Sequence, residues 1–345
     1  MSRPRACDVA IVDPCCAGGY TPGALLSGGL GGTEATVLRV MTTLSAEAAV
    51  VHFQQGRTVT EETDAGIMRP LDDAFVTGVA PLFVVINSWK VACKLRRSQT
   101  EARIVLWLHV HPGRHNRPMA RALAEAGIDV FCVSASHAAS LRGFLSDGPT
   151  LAIDHVYNPI APGLAPDGTA PDVDRLLFAS SPHKGLAQVF DRFRAARAAI
   201  PTLTLAVADP GYLAWDTGPV PDGVEWLGPL SHATLMKEMR RALCLFYPQT
   251  HFAETFGLVM AEAQSVGLPV LAHDRIGANA EVVTAPGQLL DAADDARIIA
   301  RLRDWRIARP VVTGNPAFSL DAVSARWREI LLHPQPASAR IERVA

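Results

Sequence analysis

The first informative features of this 345-residue sequence are the ones it lacks. None of its six cysteines forms a C-x-x-C pair, so a zinc ribbon or a thioredoxin-type site has no ligands to build on. No stretch approaches the roughly 20 consecutive apolar residues that cross a bilayer. Charge of one sign is not in excess either: Lys+Arg is 32 and Asp+Glu is 34, a formal net charge of −2. Neither half of the chain is a polycation, which disfavours nucleic-acid binding driven by bulk charge. The opening MSRPRACDVAIVDP has its apolar run cut by Asp8 and Asp13, unlike a secretory leader. The expectation is a cytoplasmic protein with no transmembrane segment. Cys7, Cys93, Cys132 and Cys244 lie in apolar or helical contexts and read as small buried hydrophobes. Cys15 and Cys16 sit in a glycine-rich loop, where a vicinal redox role is the minor alternative.

The sequence does contain short apolar runs at regular intervals. In the first half these are 7–13, 48–53, 82–88, 103–109, 129–135 and 151–157; in the second, 174–180, 203–209, 224–228, 241–248 and 268–273. They are apolar on successive residues, as strands buried on both faces are. Helical patterns fall between several of them, at 34–44, 137–145, 186–200 and 258–266. Alternating strands and helices predict parallel α/β sheets. A polar Pro/Gly-rich stretch, PIAPGLAPDGTAPD at 159–172, reads as a linker. The predicted architecture is two doubly wound Rossmann-like domains facing a central cleft, with ligands outside the carboxyl ends of the strands. The last residues, HPQPASARIERVA, read as a frayed tail.

The densest chemistry lies in 246–283, FYPQTHFAETFGLVMAEAQSVGLPVLAHDRIGANAEVV. Gly257 permits close backbone approach, and a helix starting near Leu258 would aim free N–H groups of Leu258 and Val259 at an anion. Glu254 precedes that helix; Glu262 lies about five residues inside it. Two carboxylates flanking a phosphate site suit the hydroxyls at either end of a sugar nucleotide. The plainer alternative is a helix-start charge and a solvated helix carboxylate. Elsewhere, His109, His111 and His115 follow a strand and raise zinc as a minor alternative. Lys90, Lys94 and Arg97 recur at helical spacing. A solvated face is favoured for them over an acidic acceptor or a peripheral membrane contact.

Residues 246–283 resemble the E-x7-E region of retaining GT-B glycosyltransferases, specifically glycosyltransferase family 4. That family shows E-x-F-G-L-x-x-x-E-A, then G-x-P-V, then a glycine pair and a Glu. Glu254, Phe256, Gly257, Leu258, Glu262, Ala263, Gly267, Pro269, Val270, Gly277 and Glu281 stand at those positions, with Ala278 where a second glycine is usual. Gly31-Gly32-Thr33-Glu34 looks like the family's N-terminal glycine loop. Val156-Tyr157-Asn158-Pro159 and the Ser134/Ser136 segment fit the end of its first domain. Lys184-Gly185 fits its Lys-Gly pair, with Ser180 and Ser181 in a region that lacks the family's arginine; Arg275 is one alternative source of that charge. Phe318-Ser319 and Trp327 resemble the tail that crosses back onto the first domain. A nicotinamide-type G-x-G-x-x-G from Gly29 fails, because Glu34 takes the last glycine's place.

The resemblance implies an N-terminal acceptor-side domain over 1–160, a linker over 161–172, a nucleotide-sugar-binding domain over 173–316 and a crossing helix over 317–335. It implies a retaining transfer from a nucleoside-diphosphate sugar, UDP favoured and GDP next, to a hydroxyl of a glycan, glycolipid or small natural product. Catalysis would fall to Glu254, Lys184 and His109, with His111 as the alternative histidine. Donor binding would fall to Gly31, Gly32, Ser180, Ser181, Lys184, Phe256, Gly257, Leu258, Val259 and Glu262. No cofactor, metal or nucleic acid is implied. A sugar-nucleotide 2-epimerase and a non-catalytic nucleotide- or carbohydrate-binding protein are the alternatives. The Ala-, Arg- and Pro-rich composition hints at a high-GC bacterium.

Overall fold

The structure is a computed structural model that describes residues 7–27, 30–211 and 213–331. The first six residues, Gly29 and the tail read as frayed lie outside the described residues. The chain divides into two compact units.

The first unit holds an eight-stranded sheet. Its strands are β1 (Val9–Asp13), β2 (Val50–Gln54), β3 (Glu61–Thr63), β4 (Gly66–Pro70), β5 (Leu82–Ile86), β6 (Arg103–Leu108), β7 (Asp129–Cys132) and β8 (Ile153–His155). Their order is β3-β4-β2-β1-β5-β6-β7-β8, and every pairing is parallel except β3 with β4. β1, β2 and β5 are buried along their whole length, which is why they are mostly apolar; the buried polar residues among them are Asp13, His52 and Gln54. The expected strands are therefore present. The β3–β4 hairpin is absent from the sequence expectations, because β3 is a short, polar, exposed edge strand and β4, with Met68 its one buried residue, carries no apolar run to read.

The helix Leu320–Leu331 completes this unit. Trp327 is fully buried, with its ring centroid 4.3 Å from that of Trp107 and 5.8 Å from that of Phe131. Arg326 pairs with Asp154 and Arg328 with Glu47. The basic stripe falls on the helix Trp89–Ser98, capped by the Ser88 hydroxyl. Lys94 is committed there, its ammonium 4.0 Å from the centroid of the Phe75 ring.

The second unit holds a six-stranded, wholly parallel sheet: β9 (Arg175–Ala179), β10 (Thr204–Ala208), β11 (Val224–Trp226), β12 (Cys244–Tyr247), β13 (Val270–His273) and β14 (Leu289–Leu290). The order is β11-β10-β9-β12-β13-β14. The chain leaves β9 toward β10 on one side and returns to β12 on the other. The carboxyl ends of β9 and β12 therefore border a topological switch point, the place where such sheets open a crevice. Residues 23–32 cluster with this unit rather than with the first. Residues read as a linker pack along it: Arg240 donates to the Ala165 carbonyl and pairs with Asp167. Among the described residues, no helix is long and apolar enough to cross a membrane.

Candidate functional site

A pocket opens at the switch point of the second unit. Its walls come from the Gly31-Gly32 loop, the ends of β9 (Ala179, Ser180, Ser181) and β10 (Ala208, Asp209, Pro210), Lys184, Leu230, Leu235, Glu254, and one face of a helix at Leu258, Val259 and Glu262.

Local sequence sets each wall. After β9, Pro182–Lys184 form a single 3-10 turn closed by Gly185 at φ +93°. A Cβ at Gly185 would meet Gln249 at 2.7 Å, so a side chain is excluded both by backbone conformation and by space. That turn delivers Lys184 back over the strand end. After β12, Pro248 ends the strand and buried Gln249 shapes the next loop. Its Oε1 accepts from the amides of His251 and Phe252 at 2.9 and 2.7 Å, and its Nε2 donates to the Phe252 carbonyl at 2.8 Å. The loop carries Glu254 into the pocket. Lys184 Nζ donates to both oxygens of Glu254 at 3.0 and 3.2 Å and sits 4.8 Å from the centroid of the Phe252 ring.

Gly277 secures Glu254 from behind. Its φ is +52°, and an added Cβ would lie 2.4 Å from the Glu254 carbonyl oxygen and 2.6 Å from its amide nitrogen. The Ala278 amide donates to that same carbonyl at 2.9 Å. Only the first glycine of the family pair is sterically required here, which accounts for alanine at 278. Gly277→Ala is expected to destabilise the second unit by about 2–4 kcal/mol, through backbone strain plus overlap. A melting point within a degree of the parent would refute this.

The helix Leu258–Ser265 starts from Gly257 at φ +88°. The amides of Met260 and Ala261 turn back to the Gly257 carbonyl. The amides of Leu258 and Val259 precede the first helical acceptors, so they offer partial positive charge to the pocket. Phe256, 1% exposed, lies edge-on to Phe318 at 5.0 Å and packs behind this turn rather than lining the pocket. Glu262 is buried, and its Oε1 lies 2.9 Å from His232 Nε2.

Two further residues complete the network. The Tyr247 hydroxyl donates to Glu254 Oε1 at 3.1 Å. Burial first, and then the charge of Glu254, hold its phenol well above the usual range. The Ser181 hydroxyl lies 2.8 Å from His183 Nδ1. Neither Tyr247 nor His232 was singled out from the sequence. Tyr247 ends an apolar strand and reads as core, and the apolar face of the helix His232–Arg241, with Met236 and Met239 buried, points to the core and not to His232. Only the carboxylates they touch reveal them.

The pocket thus brings together Gly31, Gly32, Ser180, Ser181, Lys184, Glu254, Leu258, Val259 and Glu262. Arg275 does not serve as the missing arginine: it is exposed, pairs with Asp274 and Asp291, and lines no part of the pocket. A D-x-D triplet, Asp172-Val173-Asp174, precedes the amino end of β9, and Asp174 pairs with Arg306 there. Among the described residues, no group of three His, Cys, Asp or Glu is arranged to hold a metal ion.

His109 lies in the first unit, at the end of β6. Its amide donates to Asn87 Oδ1 at 2.6 Å, and its ring centroid is 4.7 Å from that of Trp107. Burial, then the neighbouring His137, push its pKa down to about 3, so it is neutral near pH 7. His111 is exposed and stands edge-on to His137 at 4.8 Å. Burial raises the thiols of Cys15 and Cys16 to about 11 and about 12. That is the wrong direction for a reactive thiolate, so the vicinal redox alternative loses its support.

Residues 179–306 match the family described as Glycosyl transferases group 1. No curated protein matches the sequence. Among solved structures, the chain is similar to an α,α-trehalose-phosphate synthase (UDP-forming) from Burkholderia vietnamiensis. The identity is 14% and the TM-score 0.58, with 98% of this chain and 96% of that one covered. It is also similar to WaaG, a glycosyltransferase involved in lipopolysaccharide biosynthesis, at 15% identity and TM-score 0.56, covering 94% and 99%. A third is a S. aureus TarM variant in complex with Fondaparinux, alpha-GlcNAc-glycerol and UDP, at 12% identity and TM-score 0.51, covering 75% and 54%. The chain spans about half the length of the TarM structures. At these identities the likeness is one of fold. The fold is GT-B, and residues 179–306 are similar to the Glycosyl transferases group 1 family.

Proposed function

We propose that this chain is a retaining glycosyltransferase of family 4 that uses a nucleoside-diphosphate sugar. The observation that carries the reading is the Lys184–Glu254 pair beside the free amides of Leu258 and Val259, with a second buried carboxylate, Glu262, in the same pocket. Cationic and amide donors suit a diphosphate, and carboxylates on either side suit hydroxyls. UDP is favoured over GDP, because UDP is bound in the TarM structure and is named as the product of the trehalose-phosphate synthase.

On this reading the bond between the anomeric carbon and the diphosphate breaks, and the acceptor oxygen bonds the same face of the sugar. The acceptor's proton passes to the departing phosphate. The transition state resembles an oxocarbenium ion leaving a dianion, so most of the catalysis is charge stabilisation at the leaving group. Lys184 and the amides of Leu258, Val259, Gly31 and Gly32 supply it. Glu254 accepts from the sugar hydroxyls, and Glu262, steadied by His232, accepts from the ribose. Neutral His109 is suited to a hydrogen bond with the sugar rather than to charge stabilisation. Phe256 and Gly257 set the helix start. The acceptor belongs to residues 1–160 and the donor to 173–316; the acceptor is a glycan, glycolipid or natural-product hydroxyl.

The test is thermal stabilisation by UDP, GDP, ADP and dTDP without added metal. A ligand at about 100 times its dissociation constant adds roughly 2.7 kcal/mol to the state that binds it. UDP is expected to raise the melting point by several degrees. No shift with any of the four would sink the donor-site reading, and an inverted anomeric product by NMR would sink retention.

A further inference from the structure

We propose that Tyr247 is a positioning residue for the sugar end of the site: its hydroxyl keeps Glu254 aimed at the transferred sugar once Lys184 turns to the diphosphate. The inference rests on the reading of the pocket as a donor site.

Tyr247 is the last residue of β12 and is 1% exposed. Its ring packs against Phe178 with centroids 5.7 Å apart, so packing restricts its swing. A phenylalanine would fill the same space, so packing alone gives no reason for a hydroxyl here. A buried phenol is tolerated when it is hydrogen-bonded, and this one is. Its oxygen lies 3.1 Å from Glu254 Oε1. An ionised carboxylate can only accept, which directs the single phenolic proton to it.

The consequence follows from how Lys184 is shared. Its one ammonium serves both oxygens of Glu254. A diphosphate carries more negative charge than a carboxylate and competes for that ammonium. When Lys184 turns, Glu254 remains buried, with Tyr247 as the other side chain that donates to it. Oε1 stays bound to the phenol. Oε2 is left facing the pocket as the acceptor for a sugar hydroxyl. Tyr247 thus makes the carboxylate's orientation independent of where the lysine is.

The experiment is calorimetric binding of UDP, UDP-glucose, UDP-galactose and UDP-N-acetylglucosamine to the parent, Tyr247→Phe, Glu254→Gln and the double variant. UDP release from the donor bound more tightly than UDP is measured alongside. Tyr247→Phe is expected to melt within a few degrees of the parent and to bind UDP within about twofold. One hydrogen bond to a charged group is lost, so kcat should fall by about 10–100-fold with KM changed much less. In the Glu254→Gln background the same change should cost less than about twofold, because the two residues act as one unit. Unchanged kcat in Tyr247→Phe overturns the proposal. So does a full-strength penalty on top of Glu254→Gln, or a loss of UDP affinity in step with kcat. A parent protein that binds no UDP, or no UDP-sugar more tightly than UDP, overturns the UDP-sugar donor reading on which the proposal rests; a parent that binds both while Tyr247→Phe behaves like it overturns only the role of Tyr247.

Discussion

Glu254→Gln is expected to cut sugar transfer by about 10²–10³-fold, the usual cost of removing one preorganised electrostatic partner, while UDP affinity holds or tightens slightly. Glutamine keeps the volume and one accepting oxygen but removes the charge. The sugar's hydroxyl then loses a charge-assisted bond that strengthens as the ring gains positive character. UDP is spared for a reason visible in the pocket: Lys184 is released from its 3.0 Å pairing with Glu254 and becomes more available to the diphosphate. Equal losses in transfer and in UDP binding would remove Glu254 from the sugar end.

Lys184→Ala is the complementary variant. It should weaken UDP by about 10–100-fold, the worth of one charge-assisted contact, and leave uridine nearly unaffected. It also has a structural cost. Glu254 is 7% exposed and would lose its cation, so the ligand-free protein should be less stable by about 1–3 kcal/mol. The two readouts separate. The stability loss is seen without nucleotide, and the affinity loss appears only with phosphates. An unchanged ratio of UDP to uridine affinity would place Lys184 outside the phosphate site.

The sheets were readable from the sequence because central parallel strands are buried on both faces. Val9–Val12 and Leu82–Ile86 are apolar at every position for that reason, and their shortness and Val/Ile content separate them from buried helix segments. Glu61–Pro70 was not readable, since an edge hairpin needs no apolar code. The site divides the same way. Glu254, Gly257 and Glu262 keep a fixed spacing on one strand-to-helix turn, so a local pattern finds them. Lys184 is 70 positions from its partner, but a proline–glycine turn frames it. Tyr247 and His232 have no local mark. A tyrosine in an apolar strand looks like core until a carboxylate is found at its hydroxyl, and His232 meets Glu262 only across 30 residues of chain. Arg275 shows the converse. It lies beside the right segment, but the fold turns it to Asp274 and Asp291.

The burial of Trp327 among Trp107 and Phe131 bears on how the chain is synthesised. The first sheet is drawn from residues 9–155, yet the aromatic ring that fills it arrives only with the helix Leu320–Leu331. A ribosome adding about 5–20 residues per second needs roughly 10–30 s to bridge that interval. Throughout it, the nascent first unit lacks its tryptophan plug, an omission worth about 3–5 kcal/mol by analogy with Trp→Ala changes in cores. The second unit, contiguous over 160–318 apart from the short segment 23–32, is translated whole in the meantime. The order of emergence therefore favours the second unit maturing first, with the first unit completed only once the helix Leu320–Leu331 has emerged.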